Sequence, residues 1–169
     1  MSLAGFNGGG SQAAMHIKCD DASGFSTTVT AAATPQVLKN ALFAQSVDNT
    51  LGGLTFDVAT GVVTVAKHQG KGRYAVYGTV GDSIGVNAKR HSIQIFAKEA
   101  GVTAAAKGAA AVKTEPAAAA RGAVGTAIAI VDLSAVSDTV EIRLGVETDG
   151  NAVTVRQASL LLIKIGEVP

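Results

Sequence analysis

Thr139-Val140-Glu141-Ile142-Arg143-Leu144-Gly145-Val146-Glu147 is the stretch that decides the fold class. Val140, Ile142, Leu144 and Val146 fall on one side of an extended chain, and Glu141, Arg143 and Glu147 on the other, because side chains along a strand alternate with a period of two. The segment therefore reads as a strand with one face in a core and one toward water. Thr148-Asp149-Gly150-Asn151 follows as a turn, since Asp-Gly tolerates the positive φ that tight hairpins require. Residues 152–157 then return as the next strand.

The same texture extends in both directions. Residues 36–43, 55–58, 62–66, 73–80, 91–98 and 126–133 are short β-type runs, and Ala59-Thr60-Gly61 and Gly70-Lys71-Gly72 punctuate them. In Leu160-Leu161-Leu162-Ile163-Lys164-Ile165 both faces are apolar, so this strand needs cover on both sides: the opposite sheet on one, and most economically a partner chain on the other. Two regions break the pattern. Residues 104–125 are alanine-rich, interrupted by Gly108 and Pro116 and without an amphipathic period, and read as a long loop insertion. Residues 1–35 are rich in Gly, Ser, Thr and Ala, and read as an extended N-terminal arm with spaced apolar anchors at Phe6, Met15, Ile17 and Phe25 that would order against a neighbour. The expected organisation is an arm over 1–35 and one all-β sandwich domain over 36–169.

Composition narrows the function classes. A chain of 169 residues is one ordinary domain. Its 14 Lys and Arg balance 13 Asp and Glu, and no basic face of the kind that neutralises a phosphate backbone is visible, so no nucleic-acid partner is expected. No run approaches the roughly 18 apolar residues of a membrane helix, and no membrane partner is expected either. One cysteine, Cys19, cannot form an internal disulfide, and the start lacks a basic region followed by an apolar run, so synthesis in a cytoplasm without export is the expectation.

Catalytic groupings are not found. His16, His68 and His91 are far apart, and no nucleophile elbow, zinc-protease helix or phosphate loop occurs. His16, Cys19, Asp20 and Asp21 offer donors at close spacing, but a zinc site needs about four converging groups with outer support, which an irregular arm does not supply. Asp149-Gly150-Asn151 is turn chemistry rather than a calcium loop. The reading is of a protein without catalytic residues, metal or cofactor.

Gly72-Arg73-Tyr74-Ala75-Val76-Tyr77-Gly78-Thr79-Val80, then residues 129–142 (Ala-Ile-Val-Asp-Leu-Ser-Ala-Val-Ser-Asp-Thr-Val-Glu-Ile), then Ala158-Ser159-Leu160-Leu161-Leu162-Ile163-Lys164-Ile165 resemble the strand C, F-to-G and strand H pattern of the TNF/C1q-like jelly roll. Ser137 stands where that family usually has Gly, and the turn carries one extra residue. The resemblance implies a jelly-roll β-sandwich that assembles as a homotrimer through the faces of strands A, C, F and H. It implies that Tyr74, Val76 and Val80 point into the sandwich, while Ala75, Tyr77 and Thr79, with Leu161, Ile163 and Ile165 of the last strand, face a neighbouring subunit.

A trimeric jelly roll with no export signal, disulfide or active site fits a structural virion protein best. The expectation is a decoration or cement protein on the exterior of a tailed-phage capsid, or a related head fibre, with the major capsid protein or another virion component as partner. The alternative is a receptor- or glycan-binding tip of a phage or bacterial fibre, against which the scarcity of aromatics counts. A jelly-roll enzyme of cupin type would need a His/Glu metal set that this sequence does not offer.

Overall fold

A computed structural model describes residues 14–29, 35–39, 46–84, 90–114, 125–146 and 151–168, with 20–29, 46–48, 82–84, 113–114 and 151–153 described by backbone alone. The described strands are β1 (Ala14–Val29), β2 (Gln36–Val37), β3 (Ser46–Asn49), β4 (Leu54–Asp57), β5 (Val62–Val65), β6 (Gly72–Ile84), β7 (Arg90–Lys98), β8 (Ala105–Thr114), β9 (Gly125–Leu133), β10 (Thr139–Val146) and β11 (Asn151–Gly166). They run in the order β3-β1-β11-β6-β9, which forms an inner sheet, and β8-β7-β10-β5-β4, which forms an outer one, with β2 also paired to β10. Val140, Ile142, Leu144 and Val146 of β10 are buried, as their alternation requires. They meet Ile93 and Ile95 of β7 and Val63 and Val65 of β5, and across the sandwich Met15, Ile17, Tyr74, Val76, Val131, Leu160 and Leu162. This is one apolar core between two sheets, the arrangement that buries one face of each.

Three features depart from the sequence reading. Residues 14–29 are not an unpaired arm. They form β1, between β11 and β3, with Ala14 opposite Ile163 and Met15 opposite Asn49. Met15, Ile17 and Cys19 lie 1%, 0% and 2% exposed, so Met15 and Ile17 anchor this chain's own core and not a neighbour. Phe25 pairs through its backbone with Val155, and Phe6 lies outside the described residues. Within the stretch read as an alanine-rich loop, Ala105–Thr114 is a strand; residues 115–124 lie outside the described residues. Backbone pairing with β7 overrides alanine's weak helical preference. Residues 152–157 and 160–165 are one strand, in which Arg156 is an extra residue relative to β6. That bulge switches the buried set from odd Val155 to even Ala158, Leu160 and Leu162. The expected strand 36–43 is described only as Gln36–Val37, with Leu38 held by its N–H on the Ile142 carbonyl at 2.9 Å.

β8 joins the sheets. Gln94 of β7 stands opposite three residues of β8, Gly108 to Ala110, and there β8 reaches over to pair Ala109 with Ile128 of β9. Gly108 has φ +65°, and a Cβ on it would lie 2.2 Å from the Ile128 carbonyl oxygen, so only glycine permits this crossing.

The turn between β9 and β10 is organised by Asp138, which is fully buried. Its carboxylate accepts N–H bonds from Ser134 (2.9 Å) and Ala135 (2.8 Å) of its own turn, and from Ala100 (3.0 Å) and Gly101 (2.9 Å) of the β7–β8 loop. Burial opposes the charged form, but the four N–H groups outweigh it and hold the carboxyl below its ordinary value of 3.8. Asp138→Ala removes a charged acceptor from four donors at once and is expected to cost about 3 kcal/mol in a urea titration. Because the folded carboxyl titrates below the unfolded one, its contribution is complete above pH 3.8 and disappears as the pH falls through the folded value. Asp138→Asn should accordingly flatten the acid limb of the stability profile, and an unchanged limb would show that another carboxylate sets it.

Ser137, the residue standing at a family glycine, has φ +76°, a left-handed conformation unfavourable for a side chain with a Cβ. Relief of roughly 1–2 kcal/mol of strain exceeds the extra unfolded-chain entropy of glycine, about 0.5–1 kcal/mol. Ser137→Gly is therefore expected to raise the melting temperature by about 1–4 °C. A lower melting temperature would mean that the serine side chain contributes more than its backbone costs.

Candidate interaction face

The face of the inner sheet that points away from the core is built by strand parity. On β6, Tyr74, Val76, Gly78 and Val80 are buried against the other sheet, which turns Ala75, Tyr77 and Thr79 outward. On β11, Leu160 and Leu162 point in, and Leu161 and Ile163 point out, half-buried, with Ile165 48% exposed at the strand's end. On β9 the usual size order is inverted. Ala127 and Ala129 are buried, whereas Ile128 and Ile130 are each 55% exposed.

Register brings these side chains together. Leu161 lies opposite Tyr77, and Tyr77 opposite Ile128, while Ile163, Ala75 and Ile130 form the next row. The result is a two-row apolar patch across three strands, within which even Ala75 is 8% exposed. Polar rows close both ends. Ser159, Thr79 and Thr126 align on one side, where the Thr79 and Thr126 hydroxyls are 3.3 Å apart. On the other, Arg73 donates two hydrogen bonds to Asp132, at 2.7 and 2.8 Å, and holds its carboxyl below the usual range. An apolar centre with a polar rim is how protein interfaces are laid out.

Ala75, Tyr77, Thr79, Leu161, Ile163 and Ile165 thus lie on one side of the inner sheet. Sequence reading missed Ile128 and Ile130, although the Ala-Ile-Ala-Ile alternation of residues 127–130 was the signal: one pair had to face away from the core. His16 and Cys19, considered together as metal donors, sit at positions of opposite parity on β1. His16 is on the outward side and Cys19 is buried inside, so the two cannot converge on one ion.

These two sheets, in this strand order, define a TNF/C1q-like jelly roll. No family model and no curated protein matches the sequence. Solved structures do match. The Eiger TNF structure from S. frugiperda superposes with a TM-score of 0.60 at 17% identity, covering 94% of this chain and 95% of that one. The globular domain of zebrafish complement 1qA gives 0.55 at 14% identity over 93% and 100% of the two chains. Murine APRIL gives 0.54 at 12% identity over 92% and 100%. At these identities the likeness is one of fold.

Proposed function

We propose that this protein is a non-catalytic assembly domain that functions as a homotrimer, and that within this class it decorates the outside of a tailed-phage capsid, made in the host cytoplasm and carried on the virion. The observation that carries the trimer is the inverted β9 pattern, with Ile128 and Ile130 held outward beside Tyr77, Leu161 and Ile163. A monomer would leave this contiguous apolar patch in water, whereas a closed cyclic assembly buries one copy of it per subunit. Its two rows, Leu161, Tyr77 and Ile128 with Ile163, Ala75 and Ile130, carry no charged side chain, and further copies of the chain are the proposed partner. The capsid role is the narrower reading carried forward from the sequence, and the capsid experiment below decides it. Met15 and Ile17 are committed to the core and are not available to anchor the chain on a shell.

Light scattering tests the first level: the expected mass is three protomers, and a monomer at micromolar concentration overturns it. Incubation with undecorated capsids tests the second, the expected result being saturable co-sedimentation. A stable trimer that ignores capsids would keep the assembly domain and discard the virion role.

A further inference from the structure

At one end of the sandwich, where β6 begins, β9 ends and β11 ends, a cleft of about 530 Å³ lies apart from the outward face of the inner sheet. It is lined by His68 and Gln69 of a short 3-10 turn, Lys71, Ser134, Lys164 and Glu167. Its frame is fixed. The Tyr74 hydroxyl donates to the Gly70 carbonyl at 2.7 Å in a buried bond, which ties the turn to β6. The Lys71 N–H donates to the His68 carbonyl at 3.1 Å. The Ser134 N–H is held by Asp138 at 2.9 Å.

Lys164 is positioned by what is missing beneath it. A Cβ on Gly72 would lie 2.5 Å from the Lys164 Cε, so glycine at 72 lets the lysine stem lie across the strand. The Lys164 side chain is 20% exposed, and its Nζ meets the Glu167 carboxylate at 2.8 Å, while Glu167 itself is 79% exposed. The cleft thus carries two ammonium groups and an imidazole against one carboxylate, and that carboxylate hangs in solvent from the chain beyond β11.

We infer that this cleft binds a phosphate monoester, and that Glu167 is the internal occupant which the ligand displaces from Lys164. Glu167 already shows which chemistry Lys164 accepts. Once it swings out, Lys71 and Lys164 match the charge of about −1.5 to −2 that a phosphate monoester carries at neutral pH. The Ser134 hydroxyl, the Gln69 amide and the His68 ring line the same cleft and offer further hydrogen-bond donors for its oxygens. The volume lies within the roughly 300–1,000 Å³ of small-molecule sites and leaves room for the organic part of an ester beside its phosphate. This inference is independent of the trimer, because the cleft lies at the strand ends and not on the sheet face.

Calorimetric titration at low ionic strength with glycerol phosphate, inorganic phosphate and glycerol tests it. Glycerol phosphate should bind saturably and glycerol should not. Lys71→Gln and Lys164→Gln, each checked for an unchanged circular dichroism spectrum, should weaken binding tenfold or more. Glu167→Gln should tighten it about two- to fivefold, since it removes a competing surface ion pair. Inorganic phosphate binding as tightly as the ester would overturn the organic ligand, and Glu167→Gln leaving affinity unchanged would overturn the displacement. Absence of saturable binding up to about 10 mM in both the parent and Glu167→Gln would overturn the site.

Discussion

A chain lacking residues 1–29 is expected to remain unfolded, with no cooperative transition in urea and no β signal in circular dichroism. β1 is an interior strand of the inner sheet, paired along one edge with β11 and along the other with β3. Its loss strips β11 of a ladder that runs from Ala14–Ile163 to Val29–Asn151, and leaves β3 without the strand it pairs with. It also removes Met15, Ile17 and Cys19 from the core, all nearly inaccessible to water. Truncating one large buried aliphatic side chain to alanine costs about 2–5 kcal/mol, and a domain has only about 5–15 kcal/mol in hand. Ile17→Ala provides the graded version, with an expected loss of about 3 kcal/mol on a chain that still folds. If the truncated chain folds with an unchanged spectrum, β1 contributes only an edge and the core closes without it.

Charge on the outward face of the inner sheet is expected to take the proposed trimer apart while leaving each subunit folded. Tyr77→Asp places a carboxylate between Leu161 and Ile128, at the centre of the apolar rows. In a threefold assembly it enters three times. Burying an unpartnered charge costs several kcal/mol, and even 2 kcal/mol per site, about 6 in all, shifts association by roughly four orders of magnitude. Ile128→Asp should do the same from the neighbouring strand. The control is Thr55→Asp on β4, exposed at the edge of the outer sheet, which should leave the trimer intact. A Tyr77→Asp protein that still sediments as a trimer would place the subunit contact elsewhere.

Strands whose apolar residues differ strongly in size and polarity from their neighbours were legible in the sequence. β4, β5, β7, β9 and β10 lie within a residue or two of where alternation put them. β8 was not legible, because a run of alanines has no hydrophobic amplitude for a period to modulate; its identity comes from pairing with β7, from Ala97 opposite Ala105 to Arg90 opposite Thr114. β1 failed for a different reason. Met15-His16-Ile17-Lys18-Cys19 does alternate, but the surrounding Gly- and Ser-rich stretches hide five patterned residues, and the partner that makes them a strand is β11. The outward residues of β6 and β11 came from parity together with the family resemblance, which chose the side that faces the core. Ile128 and Ile130 did not, since deciding which side of β9 faces the core requires knowing that β6 lies beside it.

The position of β11 between β1 and β6 has a consequence for how the molecule is made. Ala14 must wait for Ile163, and at about 5–20 residues per second that is roughly 8–30 s of translation. Meanwhile the β4–β5 and β7–β8 hairpins, whose partners are close in sequence, can form as they leave the ribosome. The inner sheet, and with it the rows through Leu161 and Ile163, comes into existence only when the last strand inserts. Until Ile163 has emerged a nascent chain therefore has no finished β11–β6–β9 face, and the proposed subunit association waits for β11.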